Sequence, residues 1–412
     1  MTQSIIIIGA GPSGLFTAIH AAGKNNKVVI LEKNSEPGKK LLMSGSGQCN
    51  LTHSGEVEDL LNHYGEAERF LLGPLYSFNN GDLLDFFRQR GLEFITTSEG
   101  KVFPATFEAR DILNILLKEI KRLNVKIKYN TPVKDINLIE KDNNFLIESA
   151  NNQYQADLVV LATGGNSYQA TGSSGDGYKL AAGFGHKIIE PKPALVAISI
   201  KNYQFKELAG ISLDKVMISL WRENKLVRRW QGDLLFTHQG LSGPGILNNS
   251  RYIEPGDLIK LRLVDLKDEA RLDQKLIDLI DRKGESLFKN LIKYFKIPER
   301  LGLKLLRLAG IPKDRQAAQL SRAERKSFGE LLYELPLKVE RRGSFNEAMV
   351  TAGGISLDEI NSGTMESELR PGLFAVGELL NIDGDTGGYN LQFAFSSGFL
   401  AGQEINTRTK QS

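Results

Sequence analysis

Ser4-Ile5-Ile6-Ile7-Ile8-Gly9-Ala10-Gly11-Pro12-Ser13-Gly14-Leu15 stands almost at the start of the chain, and Lys27-Val28-Val29-Ile30-Leu31-Glu32 follows it. Four consecutive β-branched isoleucines fit a central parallel strand that is apolar on both faces. The glycines then fall at the G-x-G-x-x-G spacing. Gly9 permits a tight turn, Gly11 lets backbone approach a pyrophosphate, and Gly14 lets helix and strand pack closely. Leu15, Ala18, Ile19 and Ala22 recur at helical spacing, with Pro12 suited to the first turn and Gly23 to the end. The N-terminus of that helix offers N–H groups and a dipole to a phosphate. Val28 to Leu31 reads as a second apolar strand. It ends in Glu32, 18 residues after Gly14, where an adenosine ribose hydroxyl would be met. Strand, glycines, helix, strand and acid in this order define a dinucleotide site, for NAD or FAD.

At 412 residues the chain is long enough for two or three domains. Its 41% apolar and 25% charged content are those of an ordinary globular protein. With 52 basic and 49 acidic residues the net charge is only +3, so neither a nucleic-acid nor an anionic-membrane partner is expected. The single cysteine, Cys49, excludes an intrachain disulfide. No apolar run reaches the length of a membrane span, and Met-Thr-Gln-Ser lacks the positive start of a signal peptide, so a cytoplasmic protein is expected. The histidines at 20, 53, 63, 186 and 238 show no metal-ligand spacing, and no metal is expected.

Farther along, Ser44 to Asn50 is all glycine, small or amide residues, the texture of an exposed or ligand-hugging loop. Residues from about 55 to 92 read as helical, followed by a short β-like piece over 93–104. Ala109 to Leu123 is an amphipathic helix, Val125 to Tyr129 a strand, and Val133 to Ala150 a hairpin turning at Asn143-Asn144. Ala156 to Leu161 is again a strand, running into Ala162-Thr163-Gly164-Gly165. From about Ala197 the texture changes to short alternating segments (196–200, 216–220, 234–237, 258–263), which suggest a small antiparallel sheet or barrel. Residues 267–332 read as wholly helical, and 335–341 as a strand. Gly372 to Glu378 is then a buried strand, and Gly387-Gly388-Tyr389-Asn390 opens a last apolar helix. The fold expected is α/β: a Rossmann-like, FAD-binding doubly wound sheet interrupted by an inserted β-barrel-like plus helical domain. Its boundaries are expected at 1–196 with 343–412 for the FAD-binding domain, 197–266 with 333–342 for the β-rich insert, and 267–332 for the helical subdomain.

The later glycine sites favour FAD over NAD. FAD is long, and a protein that holds it grips adenosine, pyrophosphate, ribityl chain and ring at successive strand ends. Ala162-Thr163-Gly164 and Gly377-Glu378 supply two such ends besides Gly9. A helix starting near Asn390 presents free N–H groups and a positive dipole end to the N1–C2 carbonyl edge of a reduced flavin. Gly387 and Gly388 allow close backbone approach there, and Glu378 or Asp383 is placed to accept from a ribityl hydroxyl; an ordinary glycine-rich N-cap with a solvated acid is the bland alternative.

Taken together, Gly9 to Gly14, Gly38-Lys-Lys-Leu-Leu, Ser44-Gly-Ser-Gly-Gln-Cys-Asn50-Leu-Thr52, Val102-Phe-Pro104 and Ala162 to Gly165 form an ordered series. It continues with Thr171 to Gly177, Phe236 to Pro244, Thr351 to Gly354, Met365-Glu-Ser and Gly387 to Gln392. The series spans nearly the whole chain and resembles the BaiN-like, aminoacetone-oxidase-like bacterial FAD-dependent oxidoreductases. The resemblance implies FAD bound non-covalently and the interrupted Rossmann-like architecture. Ser46 and Gln48 stand where Gly and Arg are usual in the glycine loop, Gln169 where Pro is usual, and Asn381 where Asp is usual.

Residues and resemblance together give a cofactor-binding set: Gly9, Gly11, Pro12, Ser13, Gly14, Glu32, Lys33, Lys40, Ser44, Gly45, Gly47, Cys49, Asn50, Val133, Ala162, Thr163, Gly164, Gly377, Glu378, Asp383, Gly388, Tyr389, Asn390 and Leu391. Tyr389 and Asn390 are expected either to border the ring and substrate or to cap the helix. His238 is a catalytic candidate in a glycine-marked loop, weighed against a loop-fixing hydrogen bond. Cys49 is expected to pack beside the flavin rather than react. The activity expected is hydride transfer between flavin N5 and a small organic substrate, at a cleft between FAD domain and insert. The resemblance covers NADH- or NADPH-dependent reductases, with the nicotinamide as a transient donor, and flavin-dependent amine oxidases. An FAD-containing RNA-associated or tRNA-modifying protein is the reading from another class, disfavoured by the low net charge.

Overall fold

The computed structural model describes residues 2–139, 144–266 and 268–411. They divide into two compact units, one of residues 1–194 with 345–412 and one of residues 195–344.

In the first unit five strands lie side by side in the order Leu373–Ala375, Leu158–Leu161, Gln3–Ile8, Asn26–Leu31, Lys126–Lys128, all parallel. The isoleucine strand is central, with Ile5 opposite both Leu158 and Val28. Ile5 and Ile7 have no solvent exposure, and each contributes about 1.5–3 kcal/mol by leaving water. The run needs apolar side chains on both faces because both are buried: Ile6 and Ile8, on the alternate face, are 4% and 5% exposed. Pro12–Ala21 forms the first helix and Tyr389–Gln411 the last. Three neighbouring strands of the sheet end at Gly9, at Ala162 to Gly165 and at Val376-Gly377. The C-terminal edge of a parallel sheet is where such folds bind ligands.

Two details of the first unit differ from the local reading. The hairpin Val133–Ile139, Asn144–Ser149 gains a third strand, Gln153–Ala156. Half of its expected turn, Asn143, lies outside the described residues. Ile188–Ala194 pairs antiparallel with Val350–Ile355, residues more than 150 positions away, which local patterning could not reveal.

The second unit holds a closed antiparallel barrel, in the order Ile198–Ile200, Gly240–Ser242, Lys225–Phe236, Ser212–Arg222, Leu258–Arg262, Leu335–Arg342 and back to the first. Ile218, Leu220, Phe236, Ile259 and Leu261 fill it, all without exposure. The 12-residue strand Lys225–Phe236 carries the basic run Arg228-Arg229-Trp230, with both arginines exposed. The helices Glu269–Lys283, Glu299–Leu308 and Arg322–Tyr333 share one apolar core with the barrel through Leu272, Leu276, Leu305, Phe328 and Leu332.

Candidate cofactor and active site

The glycine turn is built as its spacing demands. A Cβ at Gly9 would fall 2.4 Å from the Ala162 carbonyl oxygen, and one at Gly14 would fall 2.1 Å from the Gly9 carbonyl oxygen and 3.1 Å from Ala162 Cβ. A Cβ at Gly11 would meet nothing within 4 Å. The protein therefore closes on two glycines and leaves open space at the third, which is the cradle a pyrophosphate requires. Gly11 is also the N-cap of the first helix, with Pro12 at its first position and Ser13 buried in its first turn.

Glu32 lies beside this turn, 7% exposed. One carboxylate oxygen accepts from the Ala10 N–H at 2.7 Å, the other from the N–H and side-chain amide of Asn34, both at 2.8 Å. These bonds aim the carboxylate and leave lone pairs for a ribose hydroxyl, since two oxygens offer about four acceptor sites. Lys33 is turned elsewhere: its ammonium pairs with Asp176 at 2.7 Å and donates to Ser174. Val133 starts its strand, half-buried against the core.

Glu378 is held by side chain and backbone from three segments. Its Oε1 accepts from Ser167 Oγ at 2.7 Å and from the Thr351 N–H at 2.9 Å, while Oε2 pairs with Lys40. Three protein donors hold this carboxylate, as three hold that of Glu32, and an acceptor site is left for a ribityl hydroxyl. Glu378 and Lys40 also clamp three segments together: the turn after the Leu158–Leu161 strand, the Val350–Ile355 strand and the Lys39–Met43 helix. Gly377, at φ 69°, sits where a Cβ would come within 2.7 Å of Ser13 Oγ, and its N–H donates to Ser397 Oγ. Asp383 is half-buried in the connection that leads to the last helix.

The Ser44 to Asn50 loop is a tight, left-handed piece of backbone. Gly45, Ser46 and Cys49 have φ of 55°, 57° and 59°. Ser46 thus occupies a conformation that favours glycine, the residue usual there in the resembling family. Gly47, at φ 90°, and Asn50 complete the loop, and the Ser44 hydroxyl donates to the Leu41 carbonyl. Cys49 is fully buried, and burial pushes its thiol up to about 12, with the Ser44 hydrogen bond acting weakly the other way. At pH 8 only about one such thiol in ten thousand is ionised. Iodoacetamide should leave native protein unlabelled at pH 8 and label it stoichiometrically once unfolded; rapid labelling of native protein would contradict the buried assignment.

The turn before the last helix is closed by rings. Tyr389 is 2% exposed and stacks on His63 with centroids 4.2 Å apart and on His53 at 5.1 Å. Burial first, then the carboxylates of Asp385 and Asp59, raise its phenol well above the usual range, so it stays protonated. His63 Nδ1 lies 3.1 Å from Asp385 Oδ2. Asn390 holds the turn: its side chain accepts from the Gly384 N–H at 2.9 Å and donates to the Gly384 carbonyl at 2.8 Å. These two bonds tie the Asn390 side chain to the turn that opens the last helix. At Gly388, φ 99°, a Cβ would lie 2.6 Å from Thr52 backbone, so the turn packs directly on the strand after the glycine loop. Leu391 follows in the first turn of the helix, half-buried. His238 is exposed between the Lys225–Phe236 and Gly240–Ser242 strands of the second unit.

Sequence reading missed the residues that fix these groups: Asn34, Ser167, Thr351, His53, His63 and Asp385. Their partners lie 211 residues apart in the case of Ser167 and Glu378, and 322 in that of His63 and Asp385. No local periodicity carries such a signal. Among the described residues no group of acidic, histidine or cysteine side chains is arranged to hold a metal. No described helix is long and apolar enough to cross a membrane.

One open pyrophosphate cradle on a parallel sheet, an oriented ribose acid and further glycine strand ends define a dinucleotide-binding flavoprotein of Rossmann type. The family model described as HI0933-like protein Rossmann domain matches residues 3–404, and the chain belongs to that family. It is 33% identical over 410 residues to the 3-dehydro-bile acid delta(4,6)-reductase of Clostridium scindens, with 98% of each chain covered. It is 30% identical over 403 residues to the ribosomal RNA dihydrouridine synthase of Escherichia coli, covering 97% of each. Among solved structures, 3-ketosteroid delta1-dehydrogenase from Sterolibacterium denitrificans shares the fold, with a TM-score of 0.52, 14% identity, and 99% and 100% of the two chains covered. The protein is an FAD-dependent oxidoreductase. The expected absence of a nucleic-acid partner gains no support, because a relative of similar identity is named for an RNA substrate.

Proposed function

We propose that this chain reduces a carbon–carbon double bond conjugated to a carbonyl group. The observation that supports it is the full-length similarity to two relatives whose names state different substrates and one type of reaction. A 3-oxo steroid with double bonds at 4 and 6, and the uracil ring with its 5,6 double bond, are both conjugated carbonyl compounds. In each, the carbonyl makes a distant carbon electrophilic, and saturation needs a hydride there and a proton beside the carbonyl. Bound FAD supplies the hydride, from N5 of its reduced ring.

The chain's own residues bind, orient and move the proton. The first helix, opened at Gly11, holds the pyrophosphate, and Glu32 orients the ribose. The Lys40–Glu378 clamp and the Gly388–Thr52 contact fix the loops that follow. His63 is the proton-holding group in this reading. It is 41% exposed, stacked on Tyr389, and its ring orientation is set by Asp385. NADH or NADPH serves as donor. The chain contains no second complete G-x-G-x-x-G unit, so the nicotinamide visits the flavin transiently rather than residing in a domain of its own.

Anaerobic stopped-flow mixing tests this. Flavin should bleach on mixing with NADH or NADPH, and the reduced protein should be reoxidised by 2-cyclohexenone but not by cyclohexanone. If the enone fails, while a primary amine bleaches the flavin and only oxygen restores it, the protein is an amine oxidase and the reading is wrong.

A further inference from the structure

The net charge of +3 conceals an opposition between the two units. Residues 195–344 carry 29 basic and 19 acidic residues, a net +10, whereas the remainder carries 23 and 30, a net −7. Such asymmetry marks the basic unit as the partner of a polyanion.

Within that unit one face joins the charge to an exposed ring. The 3-10 helix Phe288–Phe295 buries Phe288, Leu291, Ile292 and Phe295. Its short period leaves Lys289, Lys293 and Tyr294 on the other side, and Lys296 follows. Tyr294 is 37% exposed. The ammonium groups of Lys283 and Lys293 flank its ring at 5.8 and 5.6 Å from the centroid, and Lys275 donates to its carbonyl at 3.1 Å. Asp281 and Glu285 are close in sequence. Yet among the described residues none of these five lysines forms an ion pair with a carboxylate. A folded protein ordinarily neutralises or disperses such a cluster. Here it surrounds the one ring of the helix that faces solvent.

We propose that this face binds single-stranded RNA, with a base stacked on Tyr294 and the adjoining phosphates on the lysines. Lysines alone would suit any polyanion, but an aromatic platform at their centre suits a chain that alternates flat bases with phosphates. The full-length similarity to a ribosomal RNA dihydrouridine synthase, which includes this unit, points the same way. The inference adds a macromolecular partner to the reductase reading, in which the conjugated acceptor would be a uracil carried by that RNA. It stands or falls on binding alone.

The test is fluorescence anisotropy of a labelled oligouridylate of about 12 nucleotides, titrated with the intact flavoprotein at several salt concentrations. Binding should weaken steeply with salt. Tyr294→Ala should weaken it about tenfold, and Tyr294→Phe, which keeps the ring, should bind like the parent. The double variant Lys283→Gln, Lys293→Gln should lower the log–log salt slope by about 1.4. The inference is overturned if the parent does not bind at low salt, or if neither Tyr294→Ala nor the lysine pair changes binding. It is also overturned if phosphatidylglycerol vesicles bind equally well and are insensitive to Tyr294→Ala, which would make the face a lipid surface. Enone reduction measured on the same preparations keeps the two readings apart: intact reduction without RNA binding removes only this one.

Discussion

Gly11→Val should fold and emerge without its flavin, while Gly14→Val should fail to accumulate as folded protein. The two positions are three residues apart in one motif, yet their surroundings are opposite. A Cβ at Gly11 meets nothing within 4 Å, and its backbone is extended at φ −80° and ψ −179°, which a β-branched residue adopts without strain. Valine methyls there fill only the space that the pyrophosphate needs. Thermal unfolding of Gly11→Val should therefore match that of the parent stripped of FAD. A Cβ at Gly14 lies 2.1 Å from a backbone oxygen that cannot yield without breaking the turn. Its cost lies at or beyond the upper end of core overpacking, about 3 kcal/mol. Full flavin occupancy in Gly11→Val would place the pyrophosphate elsewhere.

The second large effect belongs to His20, on the first helix. It packs among Phe16 and Phe399, with centroids 4.6 and 4.8 Å away, and its Nε2 is buried without a hydrogen-bond partner among the described residues. Burial, and secondarily the Arg90 guanidinium, lower its pKa from 6.5 to about 4. A base whose folded pKa is depressed takes up its proton more readily when unfolded. Stability is then complete above pH 6.5 and is lost as pH falls toward 4. The loss from this group is about 3 kcal/mol, because each tenfold difference in proton affinity between the folded and unfolded chain is worth roughly 1.4 kcal/mol. Denaturant titrations of the holoprotein at pH 7 and pH 4.5 should show His20→Leu losing clearly less stability on acidification than the parent. Equal losses would mean that the ring is hydrated or that another group carries the acid sensitivity.

Much of the architecture was legible because its signals are local. Four isoleucines, three spaced glycines and a terminal acid reveal the central strand, the turn and the ribose residue, since each reports a constraint met within a few positions. The alternating segments after Ala197 reveal the barrel for the same reason. What remained hidden is what folding brings together from afar. Glu378 reads as a free acid until Ser167, Thr351 and Lys40 converge on it. Asn390 reads either as a group bordering substrate or as a cap, and its two bonds to Gly384 come into view only in the fold. Tyr389 stands in the expected turn, but its burial between His53, His63 and Tyr64 depends on a segment more than 300 residues earlier. Net charge is a coarse signal for another reason. A sum over the whole chain discards the division into units, and the division is what exposes the basic half.

The central claim is that the open space at Gly11 belongs to FAD. The most direct measurement is the flavin content of the purified parent protein, before and after incubation with FAD and removal of the excess. The account predicts a yellow protein that releases one FAD per chain on denaturation. A folded, colourless protein that takes up no added FAD would contradict it.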